Sequence, residues 1–276
     1  MTVSLRAEET KKEVRMGSGP PTHEEMVTYY PGKLTWPQIQ AFINAGMLDL
    51  IHRDPVLHKR YMAWSAEIKT EYGSIINYLK EERLQWGKPD TMSRLGTSHI
   101  DPAFWANSED SPPRTLEYFT AQTPAEYWCI VSNDWPYSIP SDVEHVVVWT
   151  KLPIIHPSLV DPSIKDVVNE IGLTGCTGLS GPPPSLADEL PGALAALAAW
   201  KITEEDAKSM PNAERLSPQE RALIRDAGKE VADFIQNRWK EDEWETCWFV
   251  NPPRRQTVPG LAHAHVFARR KNSQTH

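Results

Sequence analysis

The chain has 276 residues, of which 40% are hydrophobic, enough for one large domain with a substantial core. Its formal net charge is −8 and its basic runs are short, which argues against a nucleic-acid partner. No apolar run is long enough to span a membrane and the charged N-terminus is unlike a secretory signal, so we expect a cytoplasmic protein with no membrane partner.

The N-terminal third predicts a flexible arm followed by a helical layer. Residues 1–31 are polar and contain glycine and proline, a composition typical of a mobile arm. Residues 32–88 carry apolar side chains at helical spacing, which predicts helices after the N-cap Thr35, over about Pro55–Tyr72, and over Ile75–Trp86. We expect this layer to be mainly scaffold.

The middle of the chain predicts loops and two neighbouring strands. Residues 89–124 are loop-rich, and Tyr127–Val131 predicts the first strand. His145–Lys151 is β-branched and almost wholly apolar, so we expect it at the centre of the sheet, antiparallel to the first strand. The connecting turn supplies three candidate pocket residues, Asn133, Trp135 and Tyr137. The alternative for Asn133 is that its side chain forms an Asx turn instead of a wall of the site.

The remaining elements complete an α+β prediction with an antiparallel sheet. Helices are expected over Asp161–Ile171, Gly192–Trp200 and Ser217–Trp239, and a glycine- and proline-rich inserted loop over Thr174–Pro191. The predicted organisation is a single domain over residues 32–270, whose sheet and helices occupy 125–270, and a tail at 271–276. A bare sheet edge near Tyr127 would allow two chains to pair as a homodimer.

The stretch Trp248–Arg269 carries the candidate site. Its second apolar run alternates, so that His263 and His265 share one face of a strand while small apolar residues line the other. Imidazole titrates nearest neutrality, so the pair is suited to acid–base or nucleophilic work. We take both as catalytic candidates, with these candidates for substrate binding: Asn133, Trp135, Tyr137, Trp149, Trp248, Asn251, Arg254, Arg255, Gln256 and Thr257.

Several alternatives to this site stay open. His263 and His265 would also suit structural positions in the core. Arg254 and Arg255 would also suit an exposed turn. A metal site would need a distant third ligand, such as His145, Asp134 or His99, and we predict neither metal nor cofactor. The eleven tryptophans suit either core packing or an apolar ligand pocket. Three well-separated cysteines show no metal-ligand spacing, and their odd number suits a reducing compartment.

Three segments resemble a fungal family of uncharacterised proteins: residues 35–86, beginning TWPQIQAF, residues 130–151, which begin IVSNDWPYSIP and end HVVVWTK, and WFVNPPRRQTVPGLAHAHVF at 248–267. Many members of that family carry the label N-acetylglucosamine-induced protein. Some relatives lie beside genes of secondary metabolism, so the resemblance implies a biosynthetic enzyme.

The C-terminal half is also distantly similar to the histidine-triad (HIT) superfamily of nucleotide hydrolases and transferases. In that family an asparagine precedes a Gln-Ser-Val stretch and then His-x-His-x-His. Asn251, Gln256-Thr257-Val258 and His263-Ala264-His265 fit this pattern with one residue inserted. The resemblance implies a HIT-like sheet with His263 at the nucleophile position and His265 at the last triad position. Leu261 replaces the first histidine of the triad.

From these observations we expect a cofactor-independent enzyme that acts on an apolar small molecule, as a cyclase (pericyclic reactions included), isomerase or lyase. Its histidine face would bind the substrate beneath the loops Pro89–Pro124 and Thr174–Pro191, with Arg254 or Arg255 gripping a carboxylate or carbonyl. One alternative is a HIT-type phosphoester or nucleotide hydrolase that uses His263 as nucleophile. Another is a non-catalytic sensing or interaction protein.

Overall fold

Five antiparallel strands form one sheet in the computed structural model, which describes residues 14–95, 116–255 and 261–271. The strand order is β1-β2-β5-β4-β3, so the C-terminal strand β5 is central. The α+β prediction with an antiparallel sheet is confirmed. The strands are β1 Trp128–Ser132, β2 Val143–Thr150, β3 Leu173–Thr177, β4 Trp244–Val250 and β5 Ala262–Arg270.

Nine helices in the described residues surround the sheet, and none is long and apolar enough to cross a membrane. A cytoplasmic location and a homodimer stay predictions. The helices are α1 His23–Tyr29, α2 Trp36–Asn44, α3 Pro55–Tyr72, α4 Ile75–Tyr78, α5 Lys165–Ile171, α6 Leu186–Ala198, α7 Glu204–Ser209, α8 Pro218–Ala227 and α9 Lys229–Gln236. A π-helical turn over Leu79–Arg83 continues α4.

One face of the sheet, the helix face, packs against α8 and α9. The small side chains Ala264, Val266 and Ala268 of β5 lie there in one buried cluster with Val231 and Phe234. Each large apolar side chain buried in this way stabilises the fold by about 1.5–3 kcal/mol. The alternation of β5 therefore points its small side chains to the helices, as the sequence predicts.

On the opposite face, the histidine face, the described residues form apolar clusters at its two ends. At one end α2 and α6 pack on Cys247 and Phe267. At the other end Leu84 packs on Val147 and Trp149. The part of β5 between these clusters, which carries His263 and His265, opens onto a cleft.

The segment predicted to be a flexible arm contains helix α1. A capping box at Thr22 and Glu25 starts this helix, because each residue's side chain accepts a hydrogen bond from the other's backbone N–H. Glu25 is buried and forms an ion pair with Arg60 of α3 at 2.9 Å. Residues 23–29 of the predicted arm therefore form a capped helix that is ion-paired to the helical layer.

Two glycines explain where the predicted C-terminal elements differ from the structure. A Cβ on Gly175 would lie 2.6 Å from the Trp248 indole, and one on Gly228 would lie 2.8 Å from it. Part of the predicted inserted loop forms an edge strand, β3. Because Gly175 has no side chain, this strand can lie close over the Trp248 indole. Gly228 divides the predicted helix Ser217–Trp239 into α8 and α9.

The edge strand also brings two cysteines together. Cys176 of β3 lies directly opposite Cys247 of β4, and a disulfide joins them. The sequence does not predict this bond, because the two cysteines are 71 positions apart and become neighbours only when the strands pair. Cys129 is free and buried, and burial raises the pKa of its thiol to about 12.

Replacing both bonded cysteines, as Cys176→Ala/Cys247→Ala, is expected to lower the free energy of unfolding by about 2–4 kcal/mol, because the bond closes a long loop in the unfolded chain. The two residues are 71 positions apart. Denaturant unfolding with and without a thiol reductant measures the effect. The wild type should lose stability in reductant and the double variant should not; a wild-type midpoint that reductant leaves unchanged would contradict the prediction.

Candidate functional site

Strand register places the two predicted catalytic histidines in the centre of the histidine face. Trp149 of β2 lies opposite His263, and Phe249 of β4 lies opposite His265. The His263 ring packs on the Trp149 indole with 4.4 Å between ring centroids, and the His265 ring stacks on Phe249 at 4.7 Å. The centroids of the two imidazole rings are 5.2 Å apart, and the rings meet edge to face.

A third histidine, His145 of β2, joins them. Its Nδ1 accepts a hydrogen bond from the backbone N–H of Tyr137 at 3.3 Å, and the side-chain amide nitrogen of Asn133 lies 3.2 Å from its Nε2. Both ring nitrogens therefore face N–H groups. A second proton on this ring would meet a donor instead of an acceptor, which favours the neutral imidazole.

His145 in turn fixes the tautomer of His265. Nε2 of His145 and Nδ1 of His265 are 3.0 Å apart. Because a backbone N–H cannot turn away, we assign the His145 proton to Nε2, from which it donates to Nδ1 of His265. In this tautomer the Asn133 amide nitrogen lies beside Nε2 without donating to it. His265 then carries its own proton on Nε2, and the described residues supply no acceptor for it. His265 therefore offers one N–H donor to a ligand.

All three imidazoles are held neutral. Burial lowers the pKa of His263 to about 4, with the Leu261 backbone acting weakly in the opposite direction. Burial also puts the pKa values of His145 and His265 well below 6.5, and the charge of Arg53 adds to the effect in both. Nδ1 of His263 is fully buried and makes no hydrogen bond of normal geometry.

The histidine face forms the floor of a cleft of about 860 Å³, which we name the aromatic cleft. Its walls come from α3, α4, the turn after β1 and the end of α6. Aromatic rings dominate them, and Trp135 is central, at 5.4 Å from Tyr61 and 5.2 Å from Trp64 between ring centroids. The volume and lining are typical of a site for a largely apolar small molecule.

Arg53, just before α3, places a cation in the aromatic cleft. Its guanidinium carbon lies 4.5 Å from the centre of the Tyr61 ring and 5.6 Å from that of Tyr137. Its Nε donates to the Trp135 carbonyl at 2.7 Å. No carboxylate pairs with it in the described residues, so its charge faces the cleft.

Eight of the twelve predicted site residues line this cleft together. Asn133 lines the cleft and also forms an Asx turn, because its Oδ1 accepts a hydrogen bond from the backbone N–H of Trp135 at 3.0 Å. The eight are Asn133, Trp135, Tyr137, Trp149, Asn251, Arg255, His263 and His265.

Two predicted residues lie elsewhere, and two are outside the described residues. Trp248 is on the helix face, buried in the core, because β4 pairs with β5 so that Phe249 shares a face with the histidines. Arg254 is outside the cleft and pairs with Glu170 at 2.5 Å. Gln256 and Thr257 lie in the part of the chain that is not described.

The arginine pair is also not free to grip a substrate in the way predicted. Arg255 reaches the cleft, but both of its terminal nitrogens donate to Asp49, and Arg254 is occupied by Glu170. The two predicted covering loops likewise contribute no described residue to the cleft lining. The unpaired cation of this site, Arg53, therefore comes from a different segment than the sequence suggests. Residues 96–115 of the first predicted covering loop lie outside the described residues.

Sequence reasoning missed Arg53 and Phe249 and did not assign His145 to the catalytic group. The motif before α3, His-Arg-Asp-Pro, signals only a helix start. The run Cys247–Val250 is apolar throughout, so no alternation marks its inward face. Among the residues described, no three His, Cys, Asp or Glu side chains form a group that could hold a metal ion.

Residues 35–171 match the profile of a family described as Protein of unknown function (DUF3605). The matched segment includes His145 and Arg53 but ends before the strand that carries His263 and His265. No curated protein matches this sequence. One solved structure, described as "Crystal Structure of HTC1", is similar with 17% identity and a TM-score of 0.36 over 86% of this chain and 85% of that chain. Similarity at this level carries no information on function.

Proposed function

We propose that this chain, which carries a domain of an uncharacterised family, is a cofactor-independent enzyme that rearranges a largely apolar small molecule. The observation that carries the proposal is the neutral His265, whose tautomer is fixed by His145 and whose free N–H lies on the floor of an aromatic cleft. A preorganised donor stabilises charge that develops on a substrate oxygen.

In this proposal His265 donates from Nε2 to a substrate carbonyl and polarises it. His263, neutral at physiological pH, accepts a proton from the neighbouring substrate carbon and returns it to another atom of the same molecule. Reactant and product then have the same composition, as in an isomerisation or a cyclisation. The aromatic walls hold the reactive conformer, which alone suffices for much of the rate in a pericyclic reaction.

The structure offers less support to the HIT-type alternative. That alternative assigns the phosphate cradle to Arg254 and Arg255, whereas both arginines pair with protein carboxylates. The resemblances to the fungal family and to the histidine-triad superfamily remain part of the proposal. The resemblance to the fungal family suggests a role in secondary metabolism. The resemblance to the histidine-triad superfamily suggests a related sheet that no longer carries out phosphate chemistry.

The test is an assay without added cofactor on two panels, one of apolar carbonyl compounds and acids, the other of nucleotides and sugar phosphates. Mass spectrometry in D2O should detect conversion of a compound in the first panel to an isomer, with deuterium gained where a proton is exchanged. Hydrolysis in the second panel alone would favour the HIT-type alternative. Turnover in neither panel, with binding retained, would favour a non-catalytic protein.

Once an activity is found, His265→Asn should reduce turnover by about 10²- to 10⁴-fold. Asparagine keeps an acceptor towards His145 but lacks the Nε2–H donor. His263→Gln should have an effect of similar size. His156, outside the cleft, provides the control His156→Gln. Unchanged turnover in His265→Asn would remove the role given to this residue.

A further inference from the structure

We propose that Arg53 anchors a carboxylate of the substrate, which makes the substrate class an apolar carboxylic acid. This inference rests on the proposed function and deepens it, because it assigns a binding residue and a chemical class to the same cleft. It also replaces Arg254 and Arg255 as the residues that hold an acidic group.

The balance of charge in the aromatic cleft supports an anionic ligand. Its lining contains two carboxylates, and both are in ion pairs: Asp49 with Arg255, and Asp134 with Arg83. Three lining cations have no ion-pair partner in the part of the chain that is described: Arg53, Lys69 and Lys201. The cleft is therefore locally cationic in a chain of net charge −8, which favours entry of an anion.

Among these cations, Arg53 is the one that is held in place. The Trp135 carbonyl accepts from its Nε, and the Trp200 indole donates to its backbone carbonyl at 2.6 Å. Its guanidinium also lies against Tyr61. These contacts fix the side chain while its two terminal nitrogens make no hydrogen bond to any described residue. A planar pair of free N–H groups matches a carboxylate in a bidentate geometry.

The position of Arg53 also fits the proposed chemistry. Both groups lie against the Tyr137 ring: the Arg53 guanidinium carbon is 5.6 Å from its centre, and the His265 imidazole stacks on it with 5.7 Å between ring centres. One substrate in the cleft would therefore contact Arg53 with its carboxylate and His265 with its reacting carbonyl.

Two probes of nearly equal shape, 2-naphthoate and 2-naphthamide, test the anchor by titration calorimetry. The wild type should bind the acid more tightly than the amide. Arg53→Gln should weaken binding of the acid by about 10- to 100-fold, the value of a charge-assisted hydrogen bond. Binding of the amide should not change, which shows that the cleft is intact. Arg53→Lys, which keeps the charge but loses the planar pair of donors, should fall between.

Lys69→Gln is the matched control, because it removes an unpaired cation from the same cleft. If Lys69→Gln and Arg53→Gln weaken acid binding equally, the anchor role of Arg53 is wrong, and the acid is attracted by the general positive potential of the cleft. Equal binding of acid and amide to the wild type would overturn it too, as would failure of the acid to bind. None of these results touches the turnover assay with His265→Asn, on which the proposed function stands.

Discussion

Acidification from about pH 7 to about pH 5 is expected to destabilise this protein by several kcal/mol, because three buried histidines must stay neutral in the folded state. His145, His263 and His265 are each less than a tenth exposed. Burial is the largest cause of their lowered pKa values, and that of His263 falls to about 4. The nearby charged group, Arg53, further opposes a second proton on His145 and His265.

The direction of the effect follows from proton uptake. In the unfolded chain each histidine takes up a proton near pH 6.5, whereas the folded chain does not do so until a lower pH. The unfolded state therefore binds more protons in this window, and stability falls as the pH falls. Each histidine contributes about 1.4 kcal/mol per pH unit, so three remove about 4 kcal/mol per unit below about pH 6. Total stabilities are commonly about 5–15 kcal/mol.

Denaturant unfolding at several pH values between about 7 and 5 measures this slope. The variant His263→Gln, which cannot take up a proton there, should reduce the slope by the contribution of one histidine, about 1.4 kcal/mol per pH unit. His156→Gln, at a histidine outside the aromatic cleft, serves as the matched control. A stability that stays flat across the interval would show that the three imidazoles are protonated in the folded protein or titrate alike in both states.

The parts of the fold that the sequence predicts are those with local signals. The alternation of β5 shows which side chains share a face, and the capping residues Thr35 and Ser217 mark helix starts that the structure confirms. Edge strand β3 has no such signal. It consists of Leu, Gly, Cys and two Thr residues, and its place is decided by pairing with β4.

The sequence predicts that the site lies around His263 and His265. It does not predict which charged side chains in the cleft are paired and which are free. Arg255 and its partner Asp49 are 206 positions apart, so the nearby histidines give no hint that this arginine is already paired. Arg53 reaches the cleft because the residues before α3 lie beside the turn after β1, where the Trp135 carbonyl accepts a hydrogen bond from its Nε. Whether Trp248 or Phe249 faces the histidines depends on the register between β4 and β5. A shift of one residue in this register would move every side chain of the strand to the other face.

Replacing Arg83 with methionine is expected to lower the free energy of unfolding by about 3–5 kcal/mol, since it leaves two carboxylates without their cation. Arg83, only 3% exposed, ends the π-helical turn after α4. It donates both terminal nitrogens to Asp90 at 2.8 Å and its Nε to Asp134 at 2.7 Å. Burial raises the pKa of Asp134 and Arg83 opposes that rise, so the carboxylate depends on this partner to stay ionised.

Two further variants separate charge from packing. Arg83→Lys keeps the charge but not the fork of donors, so we expect a smaller loss than with methionine. The triple variant Arg83→Met/Asp90→Asn/Asp134→Asn removes the orphaned carboxylates and should be more stable than Arg83→Met alone. If the triple variant is no more stable than the single one, the loss comes from the packing of the arginine stem and the charge argument is wrong.

The same ion pair connects stability to the proposed site. Asp134 lies in the turn between Asn133, which lies against His145, and Trp135, whose carbonyl holds Arg53. Loss of Arg83 should therefore loosen the fixed tautomer of His265 and the anchor together. We expect the Arg83→Lys variant, if it folds, to bind 2-naphthoate more weakly than the wild type although residue 83 makes no contact with Arg53. Unchanged binding would show that the turn keeps its shape without this bridge.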